Sequence, residues 1–173
     1  YKFKGAMPWC VTSFVIRKFG TFKDDLKRPW WQSFDARYFD RYFLTEMDRE
    51  DWERTVREMQ AALTDEVIES AFSEWPVEIQ ELDASEIIER LKARRDNLHD
   101  ISMRHYEYLS HTVSVVGSDE GEVFEVERLE NGNTRVQVFE RSKEGKKKGK
   151  LYDRVFEYKI TKEIRIYGLN GED

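Results

Sequence analysis

The sequence is poor in the residues that most often advertise chemistry. It holds one cysteine, Cys10, and three histidines in 173 residues. A single thiol excludes an internal disulfide, but it does not fix the redox compartment. No apolar run approaches the 18 or so residues a helix needs to cross a bilayer, so no segment reads as a membrane span. No secretory signal opens the chain. Because residue 1 is tyrosine, we expect the natural start to be absent. No GxSxG, HExxH, phosphate-binding loop or dinucleotide-binding glycine pattern occurs, so no familiar active-site motif is present.

The histidines are His99, His105 and His111, six residues apart. At about 100° per residue they point in three directions from one helix. A zinc face on one helix needs spacing closer to i, i+4. Asp96, His99 and Asp100 can share a face and are the candidate metal ligands here; an ordinary charged helix surface is the plainer reading. Cys10 lies beside Trp9 with no histidine in the first 98 residues, so a thiol nucleophile would need its base from a distance. Pairs such as Asp24-Asp25 and Glu50-Asp51 are too common in this composition to mark an acid–base site.

What the chain does have is charge and aromatic surface. Charged residues make up 37% and aromatics 14%, and that aromatic content argues against disorder. The length suits one good core or two small lobes. Charge is unevenly spread. Residues 1–34 carry seven Lys/Arg against two Asp/Glu, residues 35–111 ten against twenty, and residues 112–173 twelve against thirteen. An acidic helical block does not invite nucleic acid, whose phosphates need clustered cations.

The pattern divides into three parts. Residues 1–34 form an aromatic and basic segment, with a strand conceivable from Trp9 to Phe19; we expect it to pack on a neighbouring domain. Its Trp30 and Trp31 are candidate ligand-binding residues, since aromatics interleaved with cations suit single-stranded nucleic acid or sugars. Residues 35–111 read as a helical block. Asp35 to Met47 is a short helix with Phe39, Tyr42, Phe43 and Met47 inward. Asp48, with Asp51 three residues on, resembles a capping box for a helix bearing Trp52, Val56, Met59 and Leu63. Thr64 caps the next helix, Pro76 ends it, and the following residues are a connector. Asp83 or Ser85 then caps a long helix whose apolar stripe is interrupted near Lys92, Arg94 and Arg95, with Asn97 a point of kinking.

Residues 112–173 change to period two. Two apolar-alternating runs flank Asn131-Gly132-Asn133, whose residues tolerate the positive φ of a tight hairpin. Lys143 to Lys150 reads as a mobile loop, and its Lys146, Lys147 and Lys148 are candidate contacts for phosphate or an anionic head group. Further runs complete about five strands, which short links favour as an antiparallel meander. The fold class expected is α+β, a helical block followed by an antiparallel sheet packed on the long helix, with 112–173 forming one compact unit with 35–111. The closing Gly168-Leu169-Asn170-Gly171-Glu172-Asp173 loosely matches a calcium-binding glycine-rich repeat, with Asp173 as an oxygen ligand. A plain glycine-rich turn is the simpler reading.

Several strings then resemble a known region. FDRYFLTEMDREDW, LTDEVIESAFSEWP, ERLKARRDNL, VSVVGSDEGEVFEVERLENGNTRVQVFERSKEGKKKGKLYDRVF and TKEIRIYGLNGED are similar to a part of large Bacteroidetes-type cell-envelope proteins. The resemblance covers roughly residues 38 to 173. In such proteins this part lies between a calcineurin-like metallophosphoesterase domain and an outer-membrane β-barrel. The resemblance implies a periplasmic or outer-membrane location, with neighbouring domains of the same polypeptide as partners. The Asp-x-His and Asn-His-Asp ligand sets of the phosphoesterase, and the aspartate-arginine-histidine motif of a kinase-like segment in some relatives, do not occur here. Nothing catalytic carries over. The expectation is a non-catalytic structural or interaction module without a cofactor, calcium excepted, taken from a larger protein that is itself conceivably a metallophosphoesterase. The alternative is an accessory, substrate-contacting part of a phosphoesterase or phosphoryl-transfer enzyme.

Overall fold

The computed structural model describes residues 22–169. The expected strand from Trp9 to Phe19, Cys10, and Asp173 with the end of the glycine-rich stretch lie outside the described residues. Contacts group the chain into two units. One takes in the described residues up to Asp35 together with Trp52–His105; the other takes in Ala36–Asp51 and continues from Tyr106. The limits fall inside helices as well as near residue 35, and not at residue 112.

The first unit is helical. A turn of helix, α1 (Pro29–Gln32), starts on proline, whose fixed φ suits a first helical position. Helix α3 (Arg49–Ala62) buries Val56, and α4 (Asp65–Ser70) buries Ile68. Thr64 caps α4 as expected, its hydroxyl accepting from the Val67 N–H at 3.3 Å. The expected connector after Pro76 is instead helical. A short α5 (Val77–Ile79) runs into a π-helical segment, Gln80–Ala84, and on into α6 (Ser85–Asp96). The helix therefore has no fresh start at residue 85, and neither Asp83 nor Ser85 caps it. The break after α6 falls at Asn97, with φ −88° and ψ 5°, before α7 (Leu98–Ser110). Lys92 reaches Asp65 at 3.2 Å and Glu69 at 2.6 Å, and Arg95 reaches Asp65 at 2.5 Å. The cations that interrupt the stripe of α6 thus bind it to α4.

Among the described residues the second unit holds α2 (Arg37–Phe43), the first residues of α3, the end of α7, and five strands. Asp48 and Asp51 form a reciprocal capping box. The Asp51 N–H donates to Asp48 at 3.0 Å and the Asp48 N–H donates to Asp51 at 3.3 Å. Aspartate serves in place of the usual glutamate.

Strands β2 (Glu122–Arg128), β3 (Thr134–Arg141) and β4 (Lys147–Phe156) form an antiparallel meander in that order. The hairpin between β2 and β3 turns where Asn131-Gly132 predicts. Gly132 takes φ +85°, and the Leu129 N–H donates to the Asn133 carbonyl at 2.9 Å. The lysine stretch is a loop only over residues 143–146. A tight turn over Ser142–Lys146 returns the chain, and Lys147 already stands in β4. The two-glycine, five-lysine composition of 143–150 suggested mobility; pairing to β3 overrides it.

The single antiparallel sheet also fails. β1 (Thr112–Val116) and β5 (Glu163–Tyr167) pair with each other in parallel, as a separate two-stranded sheet. Val113 and Val115 of β1 meet Val136 and Val138 of β3 and Phe156 of β4 in one buried cluster, with Phe124, Tyr152 and Ile164 packed against it. The architecture is mixed helix and strand, with two small sheets sharing a core.

Candidate binding groove

The site is built on α2. Its sequence, RYFDRYF, places Tyr38 and Tyr42, and Phe39 and Phe43, in two columns four residues apart. The sequence predicts Phe39, Tyr42 and Phe43 inward. They are instead outward, each about 67–71% exposed along with Tyr38. A seven-residue helix bearing four large rings over two adjacent columns presents more apolar surface than one packed face accommodates. Phe39 and Phe43 stack with centroids 6.3 Å apart, and Tyr42 meets Phe43 edge-on at 5.1 Å.

Polar anchors hold this helix beside β1. Arg41 donates from Nη1 to the Thr112 carbonyl at 3.1 Å, and its guanidinium lies 5.3 Å from the Tyr108 ring centroid. Just after α2, the Thr45 carbonyl accepts from the Tyr152 hydroxyl at 2.9 Å and from Arg154 Nη1 at 2.6 Å. Arg154 is only 4% exposed, also donates to Ser110 Oγ at 3.0 Å, and lies 4.8 Å from the Phe156 ring centroid. Burial pushes the Tyr152 phenol up to about 12, with nearby Arg154 acting in the opposite sense.

Between α2 and β1 lies a groove of about 650 Å³, lined by Tyr38, Tyr42, Phe43, Ser114, Val116 and Tyr152 among others. It adjoins a cleft of about 400 Å³, which shares Glu46, Val116, Gly117 and Tyr152 with it. Four carboxylates line this cleft, those of Glu46, Glu120, Glu122 and Glu140, against the cations Arg141 and Lys148. Glu122 is 2% exposed and accepts from the Ser118 N–H at 2.9 Å and from the Ser118 hydroxyl. Glu122 and Glu140 stand directly opposite each other in the β2–β3 register. Like charges so placed oppose strand pairing. Gly117 makes room for the buried carboxylate, because a Cβ there would lie 2.6 Å from Glu122 Oε2 and 3.0 Å from Phe124 Cζ.

The sequence did not point to Glu122, although a signal existed. Glu122 shares the period-two face of Phe124, where a charge is out of place.

The residues predicted from sequence fall in different units. Trp30 and Trp31 sit on α1 in the first unit, half-buried, with Trp31 stacked on Phe34 at 6.1 Å. The three lysines belong to the second unit. Lys146 pairs with Glu144 at 3.1 Å and Lys147 with Glu125; Lys148 lines the acidic cleft. Lys147 and Lys148, adjacent in β4, face opposite ways, and Lys146 lies in the turn before the strand. Asp96 is engaged by Arg95 at 2.9 Å, and His99 Nδ1 lies 3.3 Å from Asp100 Oδ1. Among the described residues no three His, Cys, Asp or Glu side chains gather into a metal-binding group. No helix among the described residues is long and apolar enough to cross a membrane.

A third charged group belongs to the fold. Asp153 accepts from Arg135 Nε at 2.8 Å, from Arg135 Nη2 at 2.7 Å, from Gln137 at 3.0 Å and from Lys150 at 2.6 Å. Arg135 first, with Lys150 and Gln137, holds its carboxyl far below the usual carboxylate range. No protein family, curated protein or solved structure matches the chain.

Proposed function

We propose that this chain is a non-catalytic interaction module that binds or orients neighbouring parts of a larger polypeptide. The observation that carries this reading is the open aromatic face of α2 beside β1. Exposed apolar surface of this kind, rimmed by polar residues, suits contact with another polypeptide. Much of the charge elsewhere is engaged in pairing that holds the fold, as at Asp153, Lys92 and Arg95. The resemblance to envelope proteins supplies the proposed setting, the periplasm or outer membrane, with a metallophosphoesterase domain as a neighbour.

The accessory-enzyme reading draws on one observation. Lys148 shares a cleft with the buried Glu122 and with Glu140, a cation beside carboxylates where a substrate group could be held. A thermal-shift screen against divalent metals including calcium, nucleotides, phosphosugars and glycans separates the two, because a ligand that binds the folded state raises the melting point. The module reading expects a cooperative melt and no shift. A concentration-dependent shift with a phosphorylated compound, lost in Lys148→Ala, overturns it in favour of the accessory role.

A further inference from the structure

We propose that the outer edge of β1 is a docking edge for an extended peptide of a partner polypeptide, with apolar or aromatic residues at alternate positions and a lysine or arginine at the end near Gly117. The proposal rests on the interaction-module reading and names its partner.

Backbone accounting comes first. The His111 carbonyl accepts from the N–H of Lys162 and Glu163, and the Gly117 N–H donates to the Tyr167 carbonyl at 2.8 Å. These bonds bracket the parallel register of Thr112 with Glu163 through Val116 with Tyr167. Residues 111, 113, 115 and 117 therefore turn their backbone groups to β5. Thr112, Ser114 and Val116 turn theirs the other way. Arg41 takes the Thr112 carbonyl. Among the described residues no hydrogen bond meets Ser114 or Val116 from that side. A strand edge in this state is a template for a further strand.

The edge is not flat to solvent. It forms one wall of the groove whose other wall is Tyr38, Tyr42 and Phe43. A strand laid on Ser114 and Val116 would set its alternate side chains against these rings. Charge then selects the peptide. Beyond Val116 the groove meets the cleft where four glutamates outnumber two cations, and where Glu122 and Glu140 face each other across the ladder. A cationic side chain entering there meets a cleft whose carboxylates outnumber its cations. An acidic or uncharged end gains nothing.

The test uses a fluorescein-labelled peptide amide, Thr-Val-Thr-Phe-Thr-Lys-Arg, with fluorescence anisotropy and amide chemical shifts of the protein. Two versions are N-methylated at odd or at even positions, and a third ends in Glu-Glu. Saturable binding is expected, with the largest shifts at Ser114 and Val116. One of the two N-methylated versions weakens at least about tenfold, because its outward N–H donors are gone. The Glu-Glu version weakens by a similar factor at low salt. Tyr42→Ala also weakens binding while leaving the melt unchanged, since that ring is 70% exposed. No binding by the parent peptide, equal binding by both N-methylated versions, or concentration-dependent shifts at Ser114 and Val116 without peptide overturns the proposal. The last would put a second copy of the chain on the edge. Failure of the peptide beside a flat small-molecule screen removes the docking edge alone; a phosphorylated hit in that screen removes the module reading.

Discussion

Glu122 stands where the β2 face would otherwise be apolar, and Gly117 is what lets it stay there. Adding a methyl at 117 brings a Cβ within 2.6 Å of a carboxylate that Ser118 already holds. Gly117→Ala is therefore expected to lower the unfolding free energy, measured by denaturant titration, by about 1–2 kcal/mol, the scale of overpacking a filled site. Shortening the acid in Gly117→Ala/Glu122→Asp should recover part of the loss, and a double mutant no better than the single refutes the steric account. Asp153 is a carboxylate held by cations, with 20% of its side chain exposed. Its folded value is depressed below the ordinary 3.8 by Arg135, Lys150 and Gln137. A depressed carboxylate contributes stability that is complete above the unfolded value and fades as pH falls through it toward the folded one. Asp153→Asn should cost about 1–2 kcal/mol at neutral pH. It should also flatten the fall in stability below about pH 4; an unchanged acid slope in urea titrations would count against it. Neither role was readable from composition. A carboxylate in a run of glutamates looks solvated until the register sets it against a partner.

Helix ends were the most legible elements. Thr64 and the Asp48–Asp51 pair satisfy first-turn N–H groups by contacts within four residues, so the sequence contains the whole interaction. Asp48→Ala is expected to cost about 1 kcal/mol by removing the acceptor for the Asp51 N–H. Asp48→Ser should restore most of it; if both variants melt alike, the box contributes nothing. The Asn131-Gly132 hairpin was legible for the same local reason. Three elements were not. The π-helical entry into α6 runs through the position where Ser85, as a cap residue, predicts a helix start. The lysines of 147–150 join a strand because β3 offers an edge to pair with, which their own composition opposes. Helix α2 has the spacing of a buried helix, yet its rings face out. Spacing shows which residues share a face and is silent on whether anything covers it.

At the level of the whole chain, composition and the switch from helical to two-residue period gave the α+β character correctly. The pairing of the first strand with the last was out of reach. Parallel partners need a long crossover and leave no turn signature between them. The candidate groove was hidden with it, because which edge of β1 stays open follows from β5, and not β2, being its neighbour. That pairing joins Thr112 to Glu163, 51 positions later in the chain. A chain leaving the ribosome exposes β1 well before β5 has been made, whereas the β2–β4 meander can close on itself as it emerges. Val113 and Val115, buried in the finished core, then wait beside two open strand edges. Synthesis of β5 closes one of those two edges, so the exposure of β1 lasts for as long as the intervening residues take to emerge.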